Sequence, residues 1–133
     1  MPPATIAFTA GHFEQLLAHV LADATQERCG LLAGRAGRVT AVLPVPNALH
    51  SPAAYQMNGA EFAQAMAACE FEPLGIFHSH PAGPVGPSPT EIAQAAYADS
   101  IYVLVALNQP LPSVCAYRIV AGRVTEIALG VEP

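Results

Sequence analysis

The segment LGIFHSH, residues 74–80, predicts a β-strand that ends in two histidines. Because side chains alternate across a strand, its even-numbered residues share one face and its odd-numbered residues share the other. The even-numbered set is Leu74, Ile76, His78 and His80. Four prolines and two glycines follow within residues 81–89, so the chain leaves regular structure directly after the second histidine. Functional sites are commonly built where a strand opens into such a loop.

The segments on either side of this strand predict an α/β domain. Apolar runs bounded by turn residues predict six further strands, over 4–8, 28–35, 38–45, 101–107, 113–120 and 123–129. Three helices are predicted over 12–24, 60–70 and 88–98. The order β, α, β, β, α, β, α, β, β, β is typical of a mixed sheet with helices packed on it. A length of 133 residues predicts one domain over 1–133.

The composition excludes several classes of protein. Hydrophobic residues make up 53% of the chain and charged residues 11%, which excludes an intrinsically disordered chain. The net charge of −5 and the lack of a basic cluster argue against nucleic acid or an anionic membrane as a partner. The longest apolar run, 101–107, is too short to cross a bilayer, and the N-terminus lacks the pattern of a signal peptide.

The cysteines predict a cytoplasmic location. Cys29, Cys69 and Cys115 are odd in number, widely spaced and without a CxxC pair, as expected for reduced thiols. The apolar composition is also compatible with a homodimer.

His78 and His80 are candidate metal ligands. Two imidazoles on one strand face can donate two nitrogens to a divalent metal, and Zn²⁺ is the commonest fit. Glu91 follows three residues after Ser88, on the first turn of the next predicted helix, and its carboxylate would add an oxygen ligand. Two nitrogens, one oxygen and a water molecule form the pattern of a catalytic zinc site.

Ser88 and Glu91 also fit a purely structural role. The stretch SPTE, residues 88–91, is a capping box in which Ser88 is the N-cap and Glu91 reaches back to the N-cap amide. This interpretation explains both residues without a metal, and we expect Glu91 not to fill both roles easily. The sequence leaves the two interpretations open.

Glu27 is a candidate general base. It lies just before the strand 28–35, at a helix-to-strand junction from which a carboxylate can project into a cleft. Partial burial would raise its pKa and suit it to take a proton from water and pass it to a leaving amine. A solvated loop acid is the alternative.

Together these residues resemble the motif of the JAMM (MPN+, Mov34/PAD-1) metallopeptidase family. The string ERCGLLAG begins at Glu27, HSHP follows at residues 78–81, and SPTE comes after a seven-residue gap at residues 88–91. The resemblance covers about residues 5–130. It implies a cytidine-deaminase-like three-layer sandwich with a curved mixed sheet flanked by helices. It also implies zinc-dependent hydrolysis of a peptide or isopeptide bond after the C-terminal Gly-Gly of a ubiquitin-like protein.

The resemblance also assigns roles to individual residues. His78 and His80 become zinc ligands, Glu27 the general base, and Ser88 a group that stabilises the oxyanion of the tetrahedral intermediate. Ser79, on the opposite strand face, would support the strand. The third ligand departs from the family, which has Asp where this chain has Glu91. The extra methylene changes the reach of the carboxylate and puts metal affinity in question more than the fold.

Small bacterial members of the family are similar in size and act on ubiquitin-like sulfur-carrier proteins. The expected partner is therefore the C-terminal tail of such a carrier, bound as an added strand against residues 50–58. A metal-free binding or scaffold module of the same fold is the alternative function. A zinc nucleobase deaminase is disfavoured because the chain has no CxxC pair.

Overall fold

A computed structural model describes residues 5–52, 54–57, 59–68, 73–95, 97, 99–108 and 110–133. Seven strands are formed by Thr5–Thr9 (β1), Cys29–Arg35 (β2), Arg38–Val45 (β3), Pro73–His80 (β4), Ile101–Ala106 (β5), Ser113–Val120 (β6) and Arg123–Glu132 (β7). Three helices are formed by Ala10–Leu21 (α1), Gly59–Ala68 (α2) and Pro89–Gln94 (α3). The element order is the predicted one.

The strands form one mixed sheet in the order β1-β3-β2-β4-β5-β6-β7, and β1 closes it by pairing with both β3 and β7. Parallel pairs join β4 to β5 and β1 to both of its neighbours. The other pairs are antiparallel. The prediction of a mixed α/β fold is confirmed, whereas the three-layer deaminase-like sandwich stays a prediction.

The helices pack against two separate apolar clusters. The larger cluster joins Leu16 and Val20 of α1 to strand residues that include Phe77 and Val103. The smaller cluster lies around Ile76 of β4, together with Leu31, Tyr102 and Ile119. Partly buried side chains of α2 and α3, among them Phe62 and Ile92, pack against this smaller cluster. The face of β4 that carries Ile76 is therefore the face covered by α2 and α3.

One residue of β4 lies on the face opposite to the predicted one. Leu74 was expected beside Ile76, but it packs in the larger cluster with Phe77. The pairing of β2 with β4 shifts register between Leu32 and Ala33. An extra residue at such a bulge reverses the alternation of side chains beyond it.

Two helices differ from their predicted bounds because of local hydrogen bonds. Helix α1 begins at Ala10 rather than at residue 12, since the Thr9 side chain caps it by accepting from the His12 amide at 3.1 Å. Helix α3 ends at Gln94, before the predicted residue 98. The amide of Tyr97 donates to the Tyr102 hydroxyl at 3.2 Å, so the chain has left the helical path by that residue.

Within the described part of the chain, every helix is too short or too polar to cross a membrane. Cys69 lies outside the described residues, whereas Cys29 and Cys115 are free thiols.

Candidate metal centre

The two histidines lie on one face at the carboxyl end of β4, as their spacing predicts. His78 is 2% exposed and His80 is 3% exposed, so both rings are buried. Cys29 of β2 pairs with His78 on one side, and β5 runs parallel to β4 on the other. Flanking strands therefore fix the backbone that carries both imidazoles.

Glu91 contacts both histidines and also caps its own helix. Its Oε1 accepts from the Ser88 amide at 2.7 Å, and the Ser88 hydroxyl accepts from the Glu91 amide at 3.2 Å. Its Oε2 lies against His78 Nε2 and 2.9 Å from His80 Nε2. The expectation that the cap and the site compete for Glu91 is wrong. A carboxylate has two oxygens, and here each serves one role.

Glu27 brings a second carboxylate to the same place. One side-chain atom each from Glu27, His78, His80 and Glu91 can be chosen so that all four lie within 4.8 Å of one another. Glu27 is 4% exposed. Burial raises its pKa to about 7, with the nearby Glu91 acting in the same direction and His80 opposing it. The alternative of a solvated loop acid is therefore excluded.

Different contacts orient the two imidazoles. His80 Nδ1 donates to the Pro84 carbonyl at 2.8 Å, which leaves Nε2 directed at Glu91. His78 Nδ1 is buried and has no hydrogen-bond partner among the described residues. Instead, the ring of Tyr55 stacks on His78 with centroids 4.5 Å apart and an interplanar angle of 26°. The sequence analysis missed Tyr55 and the Pro84 carbonyl, because neither belongs to a motif.

The environment gives the two rings different proton affinities. Burial lowers the pKa of His78, and its hydrogen bond to the Glu91 carboxylate offsets only part of this effect. Burial also lowers the pKa of His80, but the contacts with Glu91 and Pro84 outweigh it, and the net pKa lies above the ordinary value.

Ser88 and Ser79 form hydrogen bonds with the backbone of different segments of the site. Ser88 is half-buried and uses its oxygen to cap α3, so its hydroxyl proton remains available to a further acceptor. Ser79 is fully buried and lies on the face of β4 opposite the histidines. Its hydroxyl accepts from the Arg28 amide, and its own amide donates to the Arg28 carbonyl, both at 2.9 Å. Through these two bonds, Ser79 holds the segment before β2, which includes Glu27, against β4.

The chemistry of these residues fits a zinc ion. Two Nε2 atoms converge on one carboxylate oxygen, which is the donor set of a catalytic zinc site. His80 donates a hydrogen bond from its other ring nitrogen, Nδ1, to a backbone carbonyl, as ligating histidines usually do. Glu27 Oε1 is buried and has no partner among the described residues, which suits a base that waits for a proton.

A groove of mostly apolar and aromatic side chains lies beside the cluster. It is lined by Tyr55, Ile76, His78, Pro87, Glu91, Gln94, Ala95, Tyr97, Tyr102, Leu104 and Ile119. Because His78 and Glu91 belong to its wall, a ligand in this groove would reach the metal centre.

Comparison with known families identifies the chain. Residues 9–120 match the family described as prokaryotic homologs of the JAB domain. The chain belongs to this JAB family. The resemblance to JAMM/MPN+ proteins is thereby confirmed.

Named relatives of this JAB protein are peptidases. The CysO-cysteine peptidase of Mycobacterium tuberculosis is 38% identical over 117 residues, which cover 84% of this chain and 80% of the relative. A probable TtuB-protein conjugate cleaving protease of Thermus thermophilus is 42% identical over 91 residues, covering 65% of this chain and 61% of that protein. The prediction of a JAMM-type hydrolase is confirmed.

Solved structures agree with the fold. Protein DSY2949 from Desulfitobacterium hafniense has a TM-score of 0.86 at 32% identity, with 96% of this chain and 93% of that chain covered. A structure described as a JAMM metalloprotease-like zinc site in the proteasome and signalosome has a TM-score of 0.61 at 15% identity, with 94% and 97% covered. At that identity the likeness shows the fold alone.

Proposed function

We propose that this JAB protein is a zinc-dependent peptidase or isopeptidase. It hydrolyses the bond that follows the C-terminal Gly-Gly of a ubiquitin-like sulfur-carrier protein. The convergence of His78, His80 and Glu91 on one point, with Glu27 beside it, carries the proposal. The names of the relatives support the substrate class, since one is called a CysO-cysteine peptidase and the other a probable TtuB-protein conjugate cleaving protease.

His78, His80 and Glu91 would hold the zinc ion through two Nε2 atoms and Oε2. Zinc at this position supplies a Lewis acid that polarises a water molecule and the scissile carbonyl. The Glu91 carboxylate can provide this oxygen while its other oxygen stays on the Ser88 amide, so the longer side chain suits the ligand position.

Glu27 would move the proton in this reaction. Its raised pKa lets the carboxylate accept a proton from the attacking water and then release it to the leaving amine. Ser88 would donate a hydrogen bond through its hydroxyl to the oxyanion that forms at the scissile carbonyl. Such a donor in a dry site typically contributes about 3 kcal/mol to the stability of the transition state.

The carrier tail would bind along the segment 50–58 and enter the adjacent groove. Tyr55 of this segment lines the groove and stacks on His78, so a tail that pairs with the segment would lead to the metal centre. A narrow passage there would favour Gly-Gly over residues with side chains. Alanine substitution across residues 50–58 should reduce cleavage of a carrier peptide, whereas unchanged turnover in every variant would reject this part.

The central experiment combines metal analysis with hydrolysis. Protein purified without added metal is analysed for bound zinc and is then assayed on a carrier extended by one residue after Gly-Gly. We expect bound zinc and release of that residue in the wild type. Glu27→Gln should keep zinc and the fold but lose turnover, and His78→Ala should lose zinc.

The outcomes separate the proposal from its alternative. A site that takes up no zinc even from excess metal would indicate the scaffold module. Hydrolysis that persists in Glu27→Gln would overturn the assignment of the base.

We further propose a cytidine-deaminase-like sandwich in a single domain over 1–133, located in the cytoplasm. The packing of α1 against one apolar cluster and of α2 and α3 against the other supports the layered arrangement. The free thiols of Cys29 and Cys115 support a reducing compartment. The homodimer stays a prediction that light scattering would test.

A further inference from the structure

Asn47 is a buried polar residue outside the metal motif. Its side chain makes four hydrogen bonds, all with backbone groups, and the residue is 8% exposed. The Nδ2 group donates to the carbonyls of Glu27 and Ala54, both at 2.9 Å. The Oδ1 atom accepts from the amides of Leu49 and Gln56, both at 3.1 Å. The full hydrogen-bonding capacity of the amide is used.

One of these four contacts holds the backbone of Glu27. The Glu27 carbonyl accepts from Asn47, and the Glu27 amide donates to the Ser51 carbonyl at 2.8 Å. Both polar groups of the Glu27 backbone are therefore tied to the segment that follows β3. Glu27 lies two residues before Cys29, where β2 begins. These two bonds therefore fix the position of the Glu27 backbone, from which its side chain extends.

Two other contacts of Asn47 hold the backbone on both sides of Tyr55. Asn47 binds the carbonyl of the preceding residue, Ala54, and the amide of the following residue, Gln56. Tyr55 then stacks on His78, whose Nδ1 has no hydrogen-bond partner in the described part of the chain. The orientation of this imidazole therefore depends on Tyr55 more than that of His80, which a carbonyl holds.

We propose that Asn47 is a positioning residue that sets both Glu27 and Tyr55 relative to His78. The inference rests on the proposed function, because it assigns Asn47 to the reaction that Glu27 and zinc perform. Only a short amide suits the position: Asp has no donors for the two carbonyls, and Ala has neither donors nor acceptors. Enzymes lose about 100-fold in rate when a reacting group moves by about 1 Å, so a displaced Glu27 has a measurable effect.

The first test is kinetic and compares Asn47→Ala and Asn47→Asp with the wild type. Asn47→Asp keeps acceptors for Leu49 and Gln56 but loses the donors to Glu27 and Ala54. Rates are expressed per zinc-loaded folded molecule, well below the unfolding temperature. We expect kcat to fall about 100-fold in both variants, and KM for the extended carrier to rise by a smaller factor, because Asn47 also holds the segment along which the tail would bind.

The matched control is Asp23→Ala. Asp23 accepts from the amide and hydroxyl of Thr25 in the same connection before β2, and among the described residues it forms no hydrogen bond with Glu27. Its removal deletes a comparable side-chain-to-backbone contact, and kcat should stay at the wild-type value. A wild-type kcat per folded molecule in both Asn47 variants, even with a lowered unfolding temperature, would reduce Asn47 to a structural role and overturn the inference.

The second test does not depend on catalysis. Hydrogen exchange of the Glu27 amide is measured in metal-free wild type, Asn47→Asp and Asp23→Ala. We expect at least tenfold faster exchange in Asn47→Asp and no change in Asp23→Ala. Unchanged protection in Asn47→Asp contradicts the inference whatever the activity. If the zinc-loaded wild type cleaves no carrier although the exchange result holds, the proposed function has failed and the positioning geometry stands.

Discussion

The pKa values of the two carboxyl groups in the candidate metal centre are shifted in opposite directions. Burial raises the pKa of Glu27 to about 7, and no hydrogen bond within the described residues satisfies its Oε1. Burial acts on Glu91 in the same direction, but its bonds with His78 and His80 outweigh it and hold its pKa far below the usual range. When the pKa values of two carboxyl groups are pushed apart in this way, the group with the raised pKa can exchange a proton near neutral pH. The group with the lowered pKa stays ionised. This division matches the proposed roles of base and ligand.

The raised pKa of Glu27 predicts a pH dependence of stability in metal-free protein. The folded state binds the Glu27 proton more tightly than the unfolded state, whose pKa is near 4.5. The free energy of unfolding therefore falls as pH rises from about 4.5 to 7 and then levels off. Glu27→Gln has no carboxyl group to titrate, so this pH-dependent loss of stability is absent. The free energy of unfolding of the variant, relative to that of the wild type, should therefore be higher at pH 8 than at pH 5 by roughly 2 kcal/mol. Urea unfolding at both pH values checks this, and parallel curves for the two proteins would contradict it.

Substitution can distinguish the roles of the two Glu91 oxygens, one of which contacts the histidines while the other caps α3. Glu91→Gln keeps a carbonyl oxygen for the Ser88 amide but loses the negative charge at the histidines. Zinc affinity should fall by more than the roughly 10- to 100-fold that loss of an outer-shell partner costs. Metal-free stability should also fall, because the neutral amide loses the bonds that the carboxylate makes with His78 and His80, and it should fall further in Glu91→Ala, which loses the cap as well. Competition with a zinc-binding dye and thermal unfolding measure the two effects, and equal zinc affinity in Glu91→Gln would exclude Glu91 as a ligand.

At the scale of elements, α3 is a six-residue helix that positions the Glu91 carboxylate. A helix this short is unstable alone, so the capping box and the packing of Ile92 must hold it. Pro89 at the first turn fits the same start signal. The contacts that begin the helix therefore also place Glu91 at the histidines.

The strand β2 must approach its neighbours closely to bring Glu27 to β4. A Cβ added at Gly30 would lie 2.4 Å from the Leu43 carbonyl oxygen and 2.4 Å from the Phe77 ring. Gly30→Ala should therefore destabilise the protein by about 1–3 kcal/mol through strain. Gly130→Ala is the control, because an added Cβ there meets nothing within 4 Å. Thermal unfolding should separate the two variants, and equal unfolding temperatures would contradict the close approach.

At the scale of the whole molecule, the candidate metal centre joins three distant parts of the chain. Glu27 comes from the connection before β2, the histidines from β4, and Glu91 from α3. These groups converge only when β2 pairs with β4 and α3 packs on the sheet. A metal held by His78, His80 and Glu91 would bind the folded state far better than the unfolded chain.

Zinc should therefore stabilise the fold. At a free zinc concentration of about 1,000 times Kd, the gain is roughly 4 kcal/mol. Thermal unfolding with zinc and with a chelator should show a clear rise in Tm in wild type and in Glu27→Gln, which keeps the three ligands. His78→Ala is the negative control and should show no rise. A zinc-independent Tm in the wild type would exclude the centre as a zinc site.

Local patterns in the sequence determined the element order, the shared face of His78 and His80, and the capping box at Ser88. Each depends on residues a few positions apart, so strand alternation or helix geometry is enough to predict it. The sequence also indicated Glu27, Ser88 and Glu91 through the family motif, but it presented the cap and the ligand at Glu91 as competitors.

Only the tertiary structure decided the remaining features. The register shift between β2 and β4 moved Leu74 to the other face of β4. The amide of Tyr97 is bound by the Tyr102 hydroxyl, where α3 has already ended. The structure alone brought Asn47 to Glu27, and Tyr55 to His78. These contacts join residues far apart in the chain, and they depend on which strands pair and in which register. Neighbouring side chains do not encode that choice, because it is made by the packing of the whole sheet.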